Sequence, residues 1–211
     1  KNTSDFYLGS LKQLDSCSVD GVVVKSLDAV WFVHKYLPQM PIIFDQGLYT
    51  YNHRAQEMFR EFHPVRMTAP YELNRGELKK RDNADSEMVL YGYLPLMTSA
   101  QCVHANTGKC HTTPVVTYLK DRYGKFFPVK NNCMECYNTI YNTTPLMLFG
   151  YGKELQKADF SNFRLNFTVE SEEEVRQILA IYETVFYEGR KNLADVYQGE
   201  YTNGHYKRGV E

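Results

Sequence analysis

No apolar run in this 211-residue chain reaches the roughly 18–20 residues that a membrane span needs. A basic n-region followed by an apolar h-region is also missing, so no secretory signal is visible. Charge of one sign is lacking too: 24 Lys+Arg stand against 25 Asp+Glu, for a net charge of −1. That balance excludes a globally basic nucleic-acid footprint and leaves room only for a local patch. Low-complexity segments and repeats beyond a β–α period are absent. Gly-x-Ser-x-Gly, His-Glu-x-x-His, P-loop and dinucleotide glycine motifs do not occur, and no Cys–His or Ser–His signal supports a nucleophilic protease. These absences point to a cytoplasmic protein with no membrane partner. Without a secretory signal, the sequons at Asn2, Asn142 and Asn166 read as chance.

What remains is a globular composition, 43% apolar, 23% charged and 14% aromatic, which rules out long disorder. The length suits a sizeable core but falls short of the ~250 residues of a complete (β/α)₈ barrel. The chain starts at Lys1 rather than Met, so a piece of something longer is expected.

The first half alternates helical and strand signals. Residues 6–16 suit an amphipathic helix. Val22-Val23-Val24 is a β-branched run expected of a buried strand, and Ser26 caps a predicted helix over 27–37 that Pro38 ends. Residues 41–45 read as a strand, 51–62 as a helix, 65–68 as a strand, 74–82 as a charged helix capped by Asn74, and 88–91 as a fourth strand. Such alternation argues for parallel strands with crossover helices. The stretch 98–145 is rich in Asn, Thr, Cys and Pro. Within it, 115–119 and 125–129 flank Asp121-Arg122-Tyr123-Gly124 as a β-hairpin. Asn142-Thr143-Thr144-Pro145 is expected to start a helix running to about 158. A fifth strand follows at 163–168, and Ser171-Glu172-Glu173-Glu174 is a capping box for a helix to Tyr187, ended by Gly189. The expected organisation is β/α units over 1–97, a Cys-rich insertion over 98–145, final β/α units over 146–189 and a tail over 190–211, all in one domain.

There are five cysteines: Cys17, Cys102, Cys110, Cys133 and Cys136. An odd number fits a disulfide framework poorly. The last four read C-x7-C-x22-C-x2-C. A Cys-x-x-Cys pair places two thiolates close enough to share a metal, and a second pair completes four ligands for zinc or an iron–sulfur cluster. The x7 spacing is not that of a zinc ribbon, and a cluster tolerates it better. Disulfides or free thiols are the alternative. Cys17 reads as a small half-buried residue. His104 and His111 neighbour cluster cysteines and are candidates for a replacement ligand or for a donor to one. His34 reads as structural, and His53 and His63 as surface or packing residues.

In a β/α sheet, functional residues collect at the carboxyl ends of strands. Lys25, Asp45 and Glu72 stand there. A carboxylate pair and a Lys on one rim near a thiol cluster suit acid–base chemistry. The alternative is that they are ordinary caps and solvated loop charges.

Several stretches together resemble the collagenase-like peptidase family of unknown catalytic type, number thirty-two in the peptidase classification. They are Val19-Asp20-Gly21-Val22-Val23-Val24, Tyr49-Thr50-Tyr51-Asn52, Thr68-Ala69-Pro70-Tyr71-Glu72-Leu73-Asn74, Tyr91-Gly92-Tyr93-Leu94-Pro95-Leu96-Met97, Leu119-Lys120-Asp121-Arg122, Phe127-Pro128-Val129 and Tyr201-Thr202-Asn203-Gly204-His205-Tyr206. The resemblance implies a mixed α/β fold, a partial TIM-type barrel formed by the later strands of a longer one. Some members are known as peptidases. Others assist oxygen-independent hydroxylation of RNA bases or of a quinone precursor and hold a 4Fe–4S cluster on four cysteines. Carried over here, the cluster ligands would be Cys102, Cys110, Cys133 and Cys136, with zinc as the alternative. The family's first cysteine follows soon after the glycine matching Gly92, whereas Tyr93-Leu94-Pro95-Leu96 stands there in this chain.

Three functions follow as expectations. One is an iron–sulfur protein assisting hydroxylation of RNA or a small aromatic, with Asp45 and Glu72 lining the pocket and Lys120, Arg122, Lys125 and Lys130 as the patch RNA would need. Another is a peptidase acting on peptides. The last is a non-catalytic piece with structural zinc or free thiols. An open barrel edge would favour self-association.

Overall fold

The computed structural model describes Gly9 and residues 19–108, 110, 113–133 and 135–210. Apart from Gly9, the helix expected over 6–16 lies outside the described residues, as do Cys17 and His111. The chain divides into two compact units. The first comprises Lys1–Val89, Lys153–Phe163 and Gly204–Glu211, and the second Leu90–Gly152 and Arg164–Asn203.

In the first unit, short apolar runs form β1 (Val22–Val24), β2 (Ile42–Phe44), β3 (Arg66–Thr68) and β4 (Ser86–Gly92), the last running on into the second unit. They pair in the order β1-β2-β3-β4, all parallel. Parallel neighbours need crossovers, and these carry α1 (Leu27–Tyr36), α2 (His53–Arg60) and α3 (Arg75–Leu78). The arrangement is that of a partial TIM-type barrel, as the alternating signals predict. The caps do what their residue types suggest. Ser26 Oγ accepts from Ala29 N at 3.3 Å and Asn52 Oδ1 from Ala55 N at 3.0 Å, while Asn74 and Glu77 close a capping box. Strand side chains alternate between faces. One face sends Val24, Ile42, Phe44 and Met67 into a core with Val30, Val33, Leu48 and Phe59. The other carries Val23, Ile43, Arg66, Thr68 and Glu87.

The second unit holds an antiparallel sheet in the order β5-β8-β7-β6. Its strands are β5 (Pro95–Ser99), β6 (Val116–Lys120), β7 (Phe126–Asn132) and β8 (Tyr137–Tyr141). The predicted hairpin is β6–β7, closed by Gly124 at φ +82° with its N–H on the Asp121 carbonyl at 3.1 Å. A short helix, α4 (Val103–Asn106), follows β5.

The helix expected from Asn142 to 158 is not formed as such. Its first part is strand β9 (Leu146–Met147) and a 3₁₀ turn (Phe149–Tyr151), and only Gly152–Lys157 is α-helical, as α5. The reason is pairing: β9 runs antiparallel to the end of β4, and Leu148 N–H bonds Leu90 O at 2.8 Å. A short continuous apolar run suits a doubly buried strand as well as a helix, and Leu146 to Phe149 are all buried.

Strand β10 (Asn162–Asn166) also lies beside β4. Helix α6 (Glu172–Ile181) starts at the predicted capping box, continues as a π-helical segment over Tyr182–Tyr187 and gives way to Gly189 at φ +64°. The tail contains α7 (Leu193–Val196) and a bridge from Thr202 to Leu146. Among the described residues no helix is long and apolar enough to cross a membrane.

The Ser171 cap is a local device with a local cost. Ser171→Ala orphans the Glu174 N–H, which now reaches Ser171 Oγ at 3.3 Å, and is expected to lower unfolding free energy by about 1 kcal/mol. A urea titration by circular dichroism checks this, and an unmoved midpoint would show that the cap contributes nothing.

Candidate functional site

The carboxyl ends of β1, β2 and β3 gather the residues predicted from their position after strands. Lys25 Nζ stands 3.6 Å from Asp45 Oδ2, with the lysine side chain 77% exposed and the aspartate only 6%. A 3₁₀ turn, Gln46–Leu48, carries the chain past this pair and lays Gly47 on the Lys25 carbonyl, which a Cβ there would meet at 3.0 Å. Tyr49 follows in the left-handed region at φ 54°, an uncommon conformation for a bulky residue that concentrates at functional sites. Its ring stacks on Tyr51 at 5.7 Å.

Tyr51 in turn hydrogen-bonds Glu72. Burial first, then that bond and the nearby carboxylate charge, push its hydroxyl up to about 12. Glu72 Oε2 is buried without a hydrogen-bond partner. The structure thus joins Lys25 to Asp45 and Glu72 to Tyr51 along one rim. It adds a buried pair on the sheet face opposite the Phe44 core, where Thr68 Oγ1 donates to Glu87 Oε1 at 2.8 Å. Sequence reasoning missed Tyr51, Thr68 and Glu87. The available signal was a glutamate inside the run Ser86-Glu87-Met88-Val89-Leu90, since a buried charge needs a partner.

The predicted cysteine ligands belong to the second unit and come from three places. Cys102 caps α4 and is buried, Cys110 is exposed, and Cys133 and Cys136 sit in the β7–β8 turn, with Cys136 left-handed at φ 57°. All four are free thiols. Burial pushes the Cys133 thiol up, and the Cys110, Cys102 and Cys136 thiolates add to that shift in decreasing order. The other three therefore lie within electrostatic reach of Cys133. Asn131 Nδ2 donates to Cys133 Sγ at 3.1 Å. His104, on the helix that Cys102 caps, has a buried Nε2 with no partner.

In kind, this donor set fits a soft metal or a cluster. In placement, no three His, Cys, Asp or Glu side chains among the described residues stand close enough together to hold a metal ion.

A third group surrounds the ends of β4 and β10 in the same unit. Tyr91 is buried, and burial ahead of the charge of nearby Glu170 pushes its hydroxyl well above the ordinary tyrosine range. Tyr93 is pushed up to about 12, chiefly by burial, then by Tyr197 and Glu170. Glu170 Oε2 accepts from Thr168 N at 2.6 Å and Val169 N at 2.9 Å, while Glu170 Oε1 and Thr168 Oγ1 are buried without partners.

A family model, peptidase family U32, matches residues 4–208, nearly the whole chain. No curated protein and no solved structure matches it.

Proposed function

The chain belongs to peptidase family U32, and on that premise we propose that it is a cysteine-ligated iron–sulfur protein assisting hydroxylation of RNA or a small aromatic in the cytoplasm. What supports the reading is the C-x7-C-x22-C-x2-C set of free thiols, three of which act electrostatically on the fourth, Cys133. Free thiols suit a reducing compartment. Cys102, Cys110, Cys133 and Cys136 would hold a 4Fe–4S cluster, and zinc is the alternative occupant. Because metal binding commonly couples to folding of its site, the four thiols would have to draw together to hold either group. When bound, the cluster supplies electron transfer or a seat for the oxygen donor.

The first unit carries side chains suited to acid–base work in their own right. On the β1–β3 rim, Asp45 and Glu72 are the candidates to accept a proton. Lys25, exposed beside Asp45, meets an anionic group on the substrate. The Tyr51 hydroxyl, at about 12, keeps its proton at neutral pH and donates it in a hydrogen bond rather than acting as a base.

Anaerobic reconstitution with iron and sulfide tests the reading. Broad visible absorption is expected, lost when Cys133 and Cys136 become Ser. Tight zinc binding with no iron uptake would replace the proposal with a structural metal site. The family's description favours a peptidase as the second reading. Peptide cleavage that survives loss of all four cysteines would establish it, with Asp45 or Glu72 as the group activating water.

A further inference from the structure

Two buried polar atoms of the second unit, Thr168 Oγ1 and Glu170 Oε1, stand without partners two residues apart in the chain. Burying such atoms unpaired is unfavourable, and folded proteins rarely do so without a reason. The local turn requires neither atom. Glu170 turns its other oxygen to the backbone, accepting from Thr168 N at 2.6 Å and Val169 N at 2.9 Å. Lys130 Nζ donates to the Thr168 carbonyl at 3.1 Å. The acids that follow are engaged on helix α6 itself. Glu174 Oε2 accepts from Ser171 N at 2.7 Å, Glu172 pairs with Arg176, and Glu173 Oε1 accepts from Gln177 at 3.0 Å.

The surroundings are aromatic. The Phe167 ring lies 5.4 Å from that of Tyr91. Lys130 pairs with Thr139 across β7 and β8, so Tyr141, two residues on, shares the sheet face that the lysine turns to Thr168. Burial above all, with the Glu170 charge contributing, raises the hydroxyls of Tyr91, Tyr93 and Tyr141. All three keep their protons at neutral pH, and Glu170 brings the negative charge. A carboxylate oxygen can only accept a hydrogen bond, and a threonine hydroxyl can do so too. A cation with N–H donors satisfies both. A metal ion fits less well. Calcium takes about six to eight oxygen ligands, and no cluster of His, Cys, Asp and Glu among the described residues could hold an ion. Aromatic rings, by contrast, suit weakly hydrated organic cations.

We infer that Thr168 and Glu170 bind a small organic cation, an alkylguanidinium or alkylammonium, through its N–H groups, with the rings of Tyr93 and Tyr141 beside it. The site lies wholly within the second unit and contains no cysteine. Cation binding and iron uptake are therefore separate results, and the inference does not rest on the proposed function.

The test is isothermal titration calorimetry of the full chain with agmatine, whose guanidinium and ammonium both carry N–H donors. Saturable binding is expected. Glu170→Gln should weaken it about tenfold, because a charge-assisted bond is lost, while the amide oxygen still accepts from the two backbone N–H groups. Thr168→Val should weaken it about fivefold. Tetramethylammonium has the charge but no N–H, and should bind about tenfold more weakly than agmatine. A second measurement separates binding from a structural role. Without ligand, Thr168→Val should unfold at the same urea concentration as the parent chain or a higher one, since its hydroxyl has no partner to lose. A lower midpoint would make the hydroxyl structural and overturn its part in binding. No heat with agmatine, or binding that both variants leave intact, would overturn the site. Tetramethylammonium binding as tightly as agmatine would reduce it to an aromatic cage indifferent to N–H donors. A midpoint raised by calcium and not by agmatine would replace the organic cation with a metal.

Discussion

Arg81→Met is expected to destabilise the first unit by about 3 kcal/mol, because it strands acceptors that no water reaches. Arg81 is buried, and its guanidinium bonds only neutral oxygens. Nε donates to Thr50 O at 2.8 Å, Nη2 to Thr50 Oγ1 at 2.9 Å, and Nη1 to Asn83 Oδ1 and Ser86 Oγ, both at 2.8 Å. Burial pushes its pKa down to about 10, so it stays charged at neutral pH at some desolvation cost, which the methionine recovers. Against that recovery, each orphaned acceptor costs about 1–3 kcal/mol, and the Thr50 and Asp82 carbonyls cannot turn to new partners as the hydroxyls and the amide can. Lysine should not rescue, since its three donors on one flexible ammonium cannot copy the planar fork.

The effect reaches the rim, because Thr50 lies between Tyr49 and Tyr51. A urea titration decides the matter: a loss below about 1 kcal/mol would mean that desolvation and hydrogen bonding nearly cancel at this residue.

Arg81 also shows where reading the sequence stops. In Lys79-Lys80-Arg81-Asp82 it looks like one charge in a solvated helix, and nothing local marks it as the buried one. That depends on Thr50 and Ser86 arriving from elsewhere in the chain. Strands β1 to β3 were legible because β-branched and apolar runs sit between turn residues, and the helices because Ser26, Asn74 and Ser171 have the right chemistry for caps. Lys25, Asp45 and Glu72 were legible as site candidates for the same local reason, a charged residue just past a strand. Tyr51 was not, since its role comes from a hydroxyl reaching a glutamate twenty-one residues later. Strands β5 and β8 were missed because pairing with each other and with β7 defines them, not their mixed composition. The helix expected after Asn142 failed for the converse reason: its local signals were sound, but the end of β4 offered Leu146–Leu148 a ladder, and tertiary pairing overrides local preference.

The close approach of β10 on the other side of β4 depends on one glycine. Gly92 closes β4 at φ +155°, and a Cβ there would stand 2.6 Å from the Asn166 carbonyl oxygen and 3.1 Å from the Asn166 Cβ. The obstructing atom is backbone, so relief cannot come from turning a side chain; β10 must move away from β4. Gly92→Ala is therefore expected to cost about 3 kcal/mol, the upper end of what overpacking usually costs. Gly150→Ala is the matched control in the same unit: its Cβ meets nothing within 4 Å, and a surface change of that kind stays within about 0.5 kcal/mol. The displacement also has a chemical reading. Asn166 leads directly into the segment whose Glu170 charge raises the Tyr91 hydroxyl, so shifting β10 weakens that influence. Tyrosine absorbance followed through an alkaline titration should then show one buried hydroxyl ionising at lower pH in Gly92→Ala than in the parent chain. The sign follows from cause, because Tyr91 is raised first by burial and then by Glu170, and opening the contact weakens both. An unfolding free energy equal to that of Gly150→Ala would mean that the strands part without cost, and that the close approach at Gly92 constrains neither the fold nor the tyrosine.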